Sequence, residues 1–124
     1  MSSQPQTVAV LGASAKPDRY SNKALRLLRE HGHRVIPVNP AQDVIEGLPV
    51  AHALGGIGEP VDTLTLYMAP QHLAPLAADI VALRPGRVIF NPGTEDANLQ
   101  RRLDAAGIPW EEACTLVMLR TGQF

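Results

Sequence analysis

Short apolar runs alternate along the chain with longer stretches in which apolar residues recur at helical spacing, the pattern of βαβ units around a mostly parallel sheet. Thr7 to Leu11 is rich in β-branched residues and ends at Gly12, which predicts a first, buried strand. Over Asn22 to His31, Ala24, Leu25, Leu27 and Leu28 share one helical side, with Ser21 the expected N-cap and Gly32 the expected stop. Arg34 to Val38 predicts a second strand, closed by Asn39-Pro40. Ala41 to Glu59 carries Gly47, Pro49, Gly55, Gly56 and Gly58 and predicts an irregular crossover, with a helical turn near Ala51 to Leu54. Asp62 to Tyr67 predicts a third strand, and Gln71 to Leu83 a helix with Pro75 in its first turn, where a missing N–H costs little. Arg87 to Phe90 predicts a fourth strand. Thr94 is the expected cap of a helix through Ala106, with Glu95 and Asp96 opposing the dipole in its first turn. Ile108 to Trp110 predicts a fifth strand and Cys114 to Leu119 a last helical turn.

The elements assemble into an α/β fold, a Rossmann-like three-layer sandwich with a mostly parallel sheet of about five strands. Residues 1–6 are polar and contain Pro5, so they are expected to form a disordered tail. Residues 7–124 are expected to form a single domain, the usual size for one core. In an open α/β sheet, ligands bind in the crevice beyond the carboxyl ends of the strands. Those ends read Gly12-Ala13-Ser14-Ala15, Asn39-Pro40, Met68-Ala69-Pro70 and Asn91-Pro92-Gly93-Thr94, where small, polar and proline residues dominate.

Charge narrows the ligand. A net charge of -1 and a pI near 6.4 offer no long-range attraction to polyanions, so nucleic acid and anionic membrane surfaces are not expected partners. Attraction to phosphate must be local. The two lysines, Lys16 and Lys23, both follow the first glycine loop, whereas the arginines are spread along the chain. The single cysteine, Cys114, leaves no internal disulfide and suits a reducing compartment. With no basic-apolar leader and no apolar run of about 18 residues or more, the expected location is cytoplasmic.

The strand–Gly–helix arrangement over Val8 to Leu28 places backbone N–H groups and the positive end of a helix dipole where they meet phosphate oxygens. The dinucleotide fingerprint G-x-G-x-x-G is not met, because Ser14 replaces the second glycine and Pro17 the third. The loop is also longer, with Lys16-Pro17-Asp18-Arg19-Tyr20 before the helix. NAD-binding domains usually end the second strand with Asp or Glu for the ribose hydroxyls, and here the chain reads Asn39-Pro40. A neutral amide and a proline suit a ribose that carries a 3′-phosphate, which an acid would repel. No G-x-x-x-x-G-K-[ST] spacing occurs.

The stretch VLGASAKPDRYSNKALRLLREHGHRVIPVNP, with EGLPV, DTLTLY and the NPG at position 91, resembles the stand-alone CoA-binding domain family, related to the CoA-binding domain of the succinyl-CoA synthetase α subunit. The resemblance covers roughly Val8 to Gly107. It implies a Rossmann-like fold with coenzyme A, or an acyl-CoA, lying across the carboxyl edge. Gly12, Ala13 and Ser14 would approach the pyrophosphate through backbone N–H groups and the Ser14 hydroxyl. Lys16 and Arg19 would face phosphate, and the binding loop would close at Ser21. Val38, Asn39 and Pro40 would border the adenosine, and Met68, Ala69 and Pro70 would line the path beside the next strand. Asn91 and Gly93 would lie nearer the pantetheine arm. Two places depart from the family pattern: Glu111-Glu112-Ala113-Cys114-Thr115 stands where a D-R-C-P-like segment is common, and no arginine follows the third strand.

No residue set in the chain spells out a catalytic site. His31 and His33 flank Gly32 in a turn, no H-x-x-x-H or C-x-x-C pair occurs, and no metal is expected. Cys114 has no histidine near it in sequence, and Leu116, Val117 and Met118 predict a buried, inert thiol. The expected function is binding of coenzyme A or an acyl-CoA without catalysis. Two alternatives stay open: an NAD(P)-binding subunit of an oxidoreductase, and a CoA-sensing module that regulates a partner enzyme. The sequence names no protein partner.

Overall fold

The computed structural model describes residues 4–124. Five strands, β1 (Thr7–Leu11), β2 (Arg34–Val38), β5 (Thr63–Leu66), β6 (Arg87–Phe90) and β7 (Trp110–Glu112), form one sheet in the order β2-β1-β5-β6-β7. Every pairing in it is parallel. Helix α1 (Tyr20–Glu30) follows β1, and α4 (Ala97–Ala106) joins β6 to β7. Between β5 and β6 run α2 (Pro70–Leu73), a 3-10 turn at Ala74–Leu76 and α3 (Ala77–Leu83); α5 (Thr115–Arg120) ends the chain.

The alternation along β1 explains the three layers. Val8 and Val10 pack with Leu25 and Leu28 of α1 and Leu119 of α5. Ala9 and Leu11 pack on the opposite face with Leu73, Ile80, Leu99 and Leu103. Val8 to Leu11 of the five-residue strand are all buried, as a central parallel strand covered by helices on both faces requires. β5 is asymmetric: Leu64 and Leu66 join the larger apolar cluster, while Thr63 and Thr65 face the other way, fully buried and hydrogen-bonded. The expected sandwich is the one observed.

Local chemistry moves several boundaries. Ser21 lies inside α1, and the cap position belongs to Arg19, whose side chain caps nothing. The stop at Gly32 holds, since its φ is +87°. Thr94 does not cap α4: its hydroxyl donates to the Asn91 carbonyl, and the Asp96 carboxylate accepts from the Asn98 N–H instead. The helix expected over Gln71 to Leu83 begins at Pro70 and is broken by the 3-10 turn holding Pro75. The fifth strand lies two residues later than Ile108 to Trp110.

The crossover from β2 is more ordered than its glycines imply. β3 (Val44–Ile45) and β4 (Leu48–Pro49) form a hairpin turned by Glu46 and Gly47, both at positive φ. Ala51, expected in a helical turn, instead bridges Val38, and the 3-10 turn falls at Leu54–Gly56. The expected tail, 1–6, lies outside the described residues at 1–3. Gln6 is held by three contacts: its N–H on the His33 Nδ1, its carbonyl on the Arg34 N–H and its side chain on the Thr63 hydroxyl.

Candidate functional site

Chain order and strand order part company at β1: the chain moves from β1 to β2 on one side, then returns to β5 on the other. This switch point opens a crevice at the carboxyl edge, where crossing connections diverge. Gly12 marks it. The strands are so close there that a Cβ on Gly12 would stand 2.7 Å from Met68 Cγ and 2.8 Å from the Tyr67 carbonyl oxygen.

A cleft of about 310 Å³ lies directly above, lined by Gly12, Ser14, Arg19, Tyr20, Ser21, Tyr67, Met68, Ala69, Pro92, Gly93 and Thr94. Arg19, Tyr20 and Ser21 are the cap and first two residues of α1, so the cleft receives the positive end of an eleven-residue helix. No side chain caps that end, which leaves the first-turn N–H groups without an internal acceptor. Arg19 alone among the lining residues carries a formal charge. An anion is the ligand that such an electrostatic surface accommodates.

The loop leading into α1 is held rigidly. Asn22, fully buried, donates to the Ser14 carbonyl and to Glu46 Oε2, and its Oδ1 accepts from Arg26, which also bonds the Pro17 carbonyl. The Lys16 N–H donates to the Ser14 hydroxyl, and the Arg19 N–H to the Lys16 carbonyl. The Gly12 and Ala13 amides both donate to the Val38 carbonyl, at 3.3 and 3.2 Å, so they are not aimed at the cleft. Ser14 and the helix start offer the donors there.

Two further cavities adjoin this cleft. One of about 380 Å³, mostly apolar, lies on the β2 side and shares Gly12 and Met68 with it. Leu11, Val38, Pro40, His52, Leu54, Gln71 and His72 also line it. The other, of about 280 Å³, lies toward β6 and β7 and is lined by Tyr20, Tyr67, Asn91, Pro92, Cys114 and Leu116. Tyr20, Tyr67 and Pro92 border both it and the central cleft. The three hollows thus follow one another along the sheet edge.

Of the residues singled out in the sequence, Gly12, Ser14, Arg19, Ser21, Met68, Ala69 and Gly93 meet in the central cleft, Val38 and Pro40 line the β2-side cavity, and Asn91 lines the third. The rest serve the frame. Ala13 is buried in the core. Asn39 donates to the Ala13 carbonyl at 2.8 Å and accepts from the Ala41 and Gln42 amides, tying β2 to the first loop. Asn91 is similarly engaged, donating to Thr65 Oγ1 and the Leu66 carbonyl and accepting from the Thr115 N–H. Pro70 opens α2, Lys16 is exposed, and the Gly93 amide donates to Glu95.

Sequence reading missed Tyr20, Tyr67 and Leu116, and took Cys114 for buried. Cys114 is half-buried on a cavity wall. The one usable signal for Tyr67 was its place at a strand end in the switch crevice. Its hydroxyl is buried, and although Thr65, Thr115 and Cys114 surround it, none meets it in hydrogen-bonding geometry. Burial pushes its pKa up to about 12, so the phenol stays neutral. Among the described residues, no group of three or more His, Cys, Asp or Glu is placed to hold a metal, and no helix is long and apolar enough to cross a membrane.

The model of one family, described as CoA binding domain, matches residues 6–120. The chain is 30% identical over 74 residues to the uncharacterized protein YneT of Bacillus subtilis, covering 60% of this chain and 55% of that one. It is 31% identical over 98 residues to the ADP-forming acetate–CoA ligase I of Archaeoglobus fulgidus, covering 77% of this chain and 14% of the ligase. The chain therefore spans about half of one curated relative and a small part of the other. A crystal structure of an uncharacterized protein superposes with a TM-score of 0.91 at 37% identity, over 98% of this chain and 100% of that one.

Proposed function

Because the chain belongs to the CoA binding domain family, we propose that it holds coenzyme A along the carboxyl edge of the sheet and performs no chemistry of its own on it. One observation carries this reading: the uncapped start of α1 opens into a cleft whose single charged lining residue is Arg19, with a cavity on either side. The pyrophosphate sits at the α1 N-terminus against Ser14, Ser21 and Arg19. The adenosine occupies the β2-side cavity against Val38 and Pro40, beside Met68. The pantetheine arm leaves past Ala69 and Gly93 toward Asn91.

The end of β2 favours this ligand over NAD. Asn39 stands where an acid would receive the ribose hydroxyls, and its amide is already engaged by the first loop and the Asx turn after it. Gly12, Ala13 and Asn39 act as frame, Pro70 starts the helix behind Ala69, and Lys16 adds charge at the rim.

Calorimetric titration with CoA, dephospho-CoA and NAD tests the proposal. CoA is expected to bind most tightly, dephospho-CoA more weakly and NAD weakest. In Arg19→Ala, CoA affinity is expected to fall about tenfold, the loss of one charge-assisted contact. Absence of CoA binding at about 1 mM would overturn the proposal.

A further inference from the structure

Resting on the CoA reading, we propose that the chain selects the 3′-phosphate of coenzyme A at long range: an unpaired strip of basic side chains along α1 speeds capture of the more highly charged ligand, and no lysine or arginine grips that phosphate once it is bound. A net charge of -1 hides how the charge is divided. Residues 16–30 hold Lys16, Arg19, Lys23, Arg26 and Arg29, five of the eleven basic side chains, against the two acids Asp18 and Glu30. All five are exposed. Among the described residues, ion pairs join Arg34 to Glu59, His52 to Asp43 and Arg87 to Glu111, so none of the five is paired with a carboxylate.

The strip starts at the mouth of the anion cleft. Arg19 and Tyr20 line that mouth, Lys23 Nζ stands 5.4 Å from the Tyr20 ring centre, and the helix carries the charge about 15 Å further to Arg29. Glu46, from the β3–β4 turn, is tied to α1 through Asn22 and Arg29 and leaves the strip positive. Other acids lie apart from it: Asp79 on α3 and Asp104 on α4 are across the sheet, and Glu111 and Glu112 are on its far edge strand, β7. The Debye length is about 10 Å in 0.1 M salt, so an anion nearing the cleft meets the field of α1 before that of the far acids. A field of one sign over a cleft raises association rates by about 10 to 1,000. The 3′-phosphate roughly doubles the negative charge on which that field acts.

Contact recognition is not built into the other end. The β2-side cavity, the proposed adenosine seat, has no lysine or arginine in its lining, and its titratable side chains are His52, His72 and the acid Asp79. His52 is engaged by Asp43 at 2.8 Å, and the Ala41 and Gln42 amides beyond β2 already donate to Asn39 Oδ1.

Stopped-flow anisotropy on the full chain tests this, with CoA and dephospho-CoA each labelled at sulfur by the same uncharged fluorophore. At about 20 mM salt, CoA is expected to associate about threefold faster than dephospho-CoA, with equal dissociation rates. At about 0.5 M salt, where the Debye length is roughly 4 Å, the association ratio should fall to near one. Lys23→Gln with Arg29→Gln should slow CoA association about threefold at low salt and leave dissociation unchanged, whereas Arg102→Gln on α4 should alter neither. If the double variant does not fold, the wild-type salt series decides alone. A preference that lies in the dissociation rate and survives 0.5 M salt places a contact on the 3′-phosphate, overturns the inference and leaves the CoA reading standing. An equal effect of Arg102→Gln overturns the assignment to α1. Equal rates for both ligands at every salt concentration overturn the selection itself, and failure of both to bind overturns the CoA reading with it.

Discussion

Gly12 and Gly93 are both left-handed, with φ of +88° and +92°, yet their surroundings differ. Nothing lies within 4 Å of a Cβ on Gly93, whereas on Gly12 it would strike Met68 Cγ and the Tyr67 backbone. Gly93→Ala should therefore cost only conformational strain, about 1 kcal/mol, while Gly12→Ala adds overpacking and should cost about 2–4 kcal/mol in urea denaturation. Equal losses would show that the switch point tolerates a side chain. A second residue reports on pH. His33 is 7% exposed and accepts the Gln6 N–H at Nδ1, which requires that nitrogen to be unprotonated. Burial first, then the charges of His31 and Arg87, hold its pKa below 6.5 in the folded protein. Between that lowered value and 6.5 the unfolded chain binds the extra proton, so this contribution to stability is present above 6.5 and is lost as pH falls through the window. The thermal midpoint should be lower at about pH 5.5 than at about pH 7.5, and His33→Asn should shrink the difference. An unchanged difference in the variant would assign it to other groups.

At the scale of elements, whatever depends on an apolar run was legible in the sequence and whatever depends on competition among polar side chains was not. β1, β2, β5 and β6 follow from Val, Ile and Leu runs that a doubly covered sheet demands. The caps do not. Ser21 and Thr94 have the right chemistry for caps, but the buried Ser21 belongs to the α1 first turn, and the Thr94 hydroxyl finds the Asn91 carbonyl at 2.8 Å. The candidate site divides the same way. Its place at the strand ends, and Gly12, Ser14 and Arg19 within it, were readable from the switch-point rule and the glycine loop. The internal engagement of Asn39 and Asn91, and the walls made by Tyr20, Tyr67 and Leu116, arise from contacts between distant segments that no local pattern encodes. The cap assignment has a direct consequence. Asp96→Ala should destabilise by about 1 kcal/mol, the usual cost of losing an N-cap acceptor, measured by urea denaturation. Thr94→Val leaves α4 capped and instead loosens the Asn91-Gly93 turn, so it should weaken CoA binding more than it alters helix content. A helix-content loss in Thr94→Val matching that of Asp96→Ala would return the cap to Thr94.

For the whole molecule the decisive feature is that one strand serves two apolar clusters. Val8 and Val10 belong to the cluster under α1 and α5, Ala9 and Leu11 to the cluster under α3 and α4. Stripping the helices from either face exposes the back of the same central strand, so neither cluster persists alone, and unfolding should be a single cooperative transition. The chain carries the probes to check this. Trp110, the single tryptophan, meets Phe90 edge-on at 5.7 Å and reports the larger cluster. Far-UV circular dichroism senses helices on both faces, α1 and α5 included. The two denaturation curves should coincide. A ligand lying across the ends of β2, β1, β5 and β6 contacts both halves of this unit, and binding only the folded state stabilises it by about 2.7 kcal/mol at a concentration of 100 times Kd. Saturating CoA should therefore move the fluorescence and dichroism midpoints together and by the same amount. If dichroism is lost first and CoA shifts only one curve, the α1 face is a separate cooperative unit, and the shared strand does not couple the two clusters.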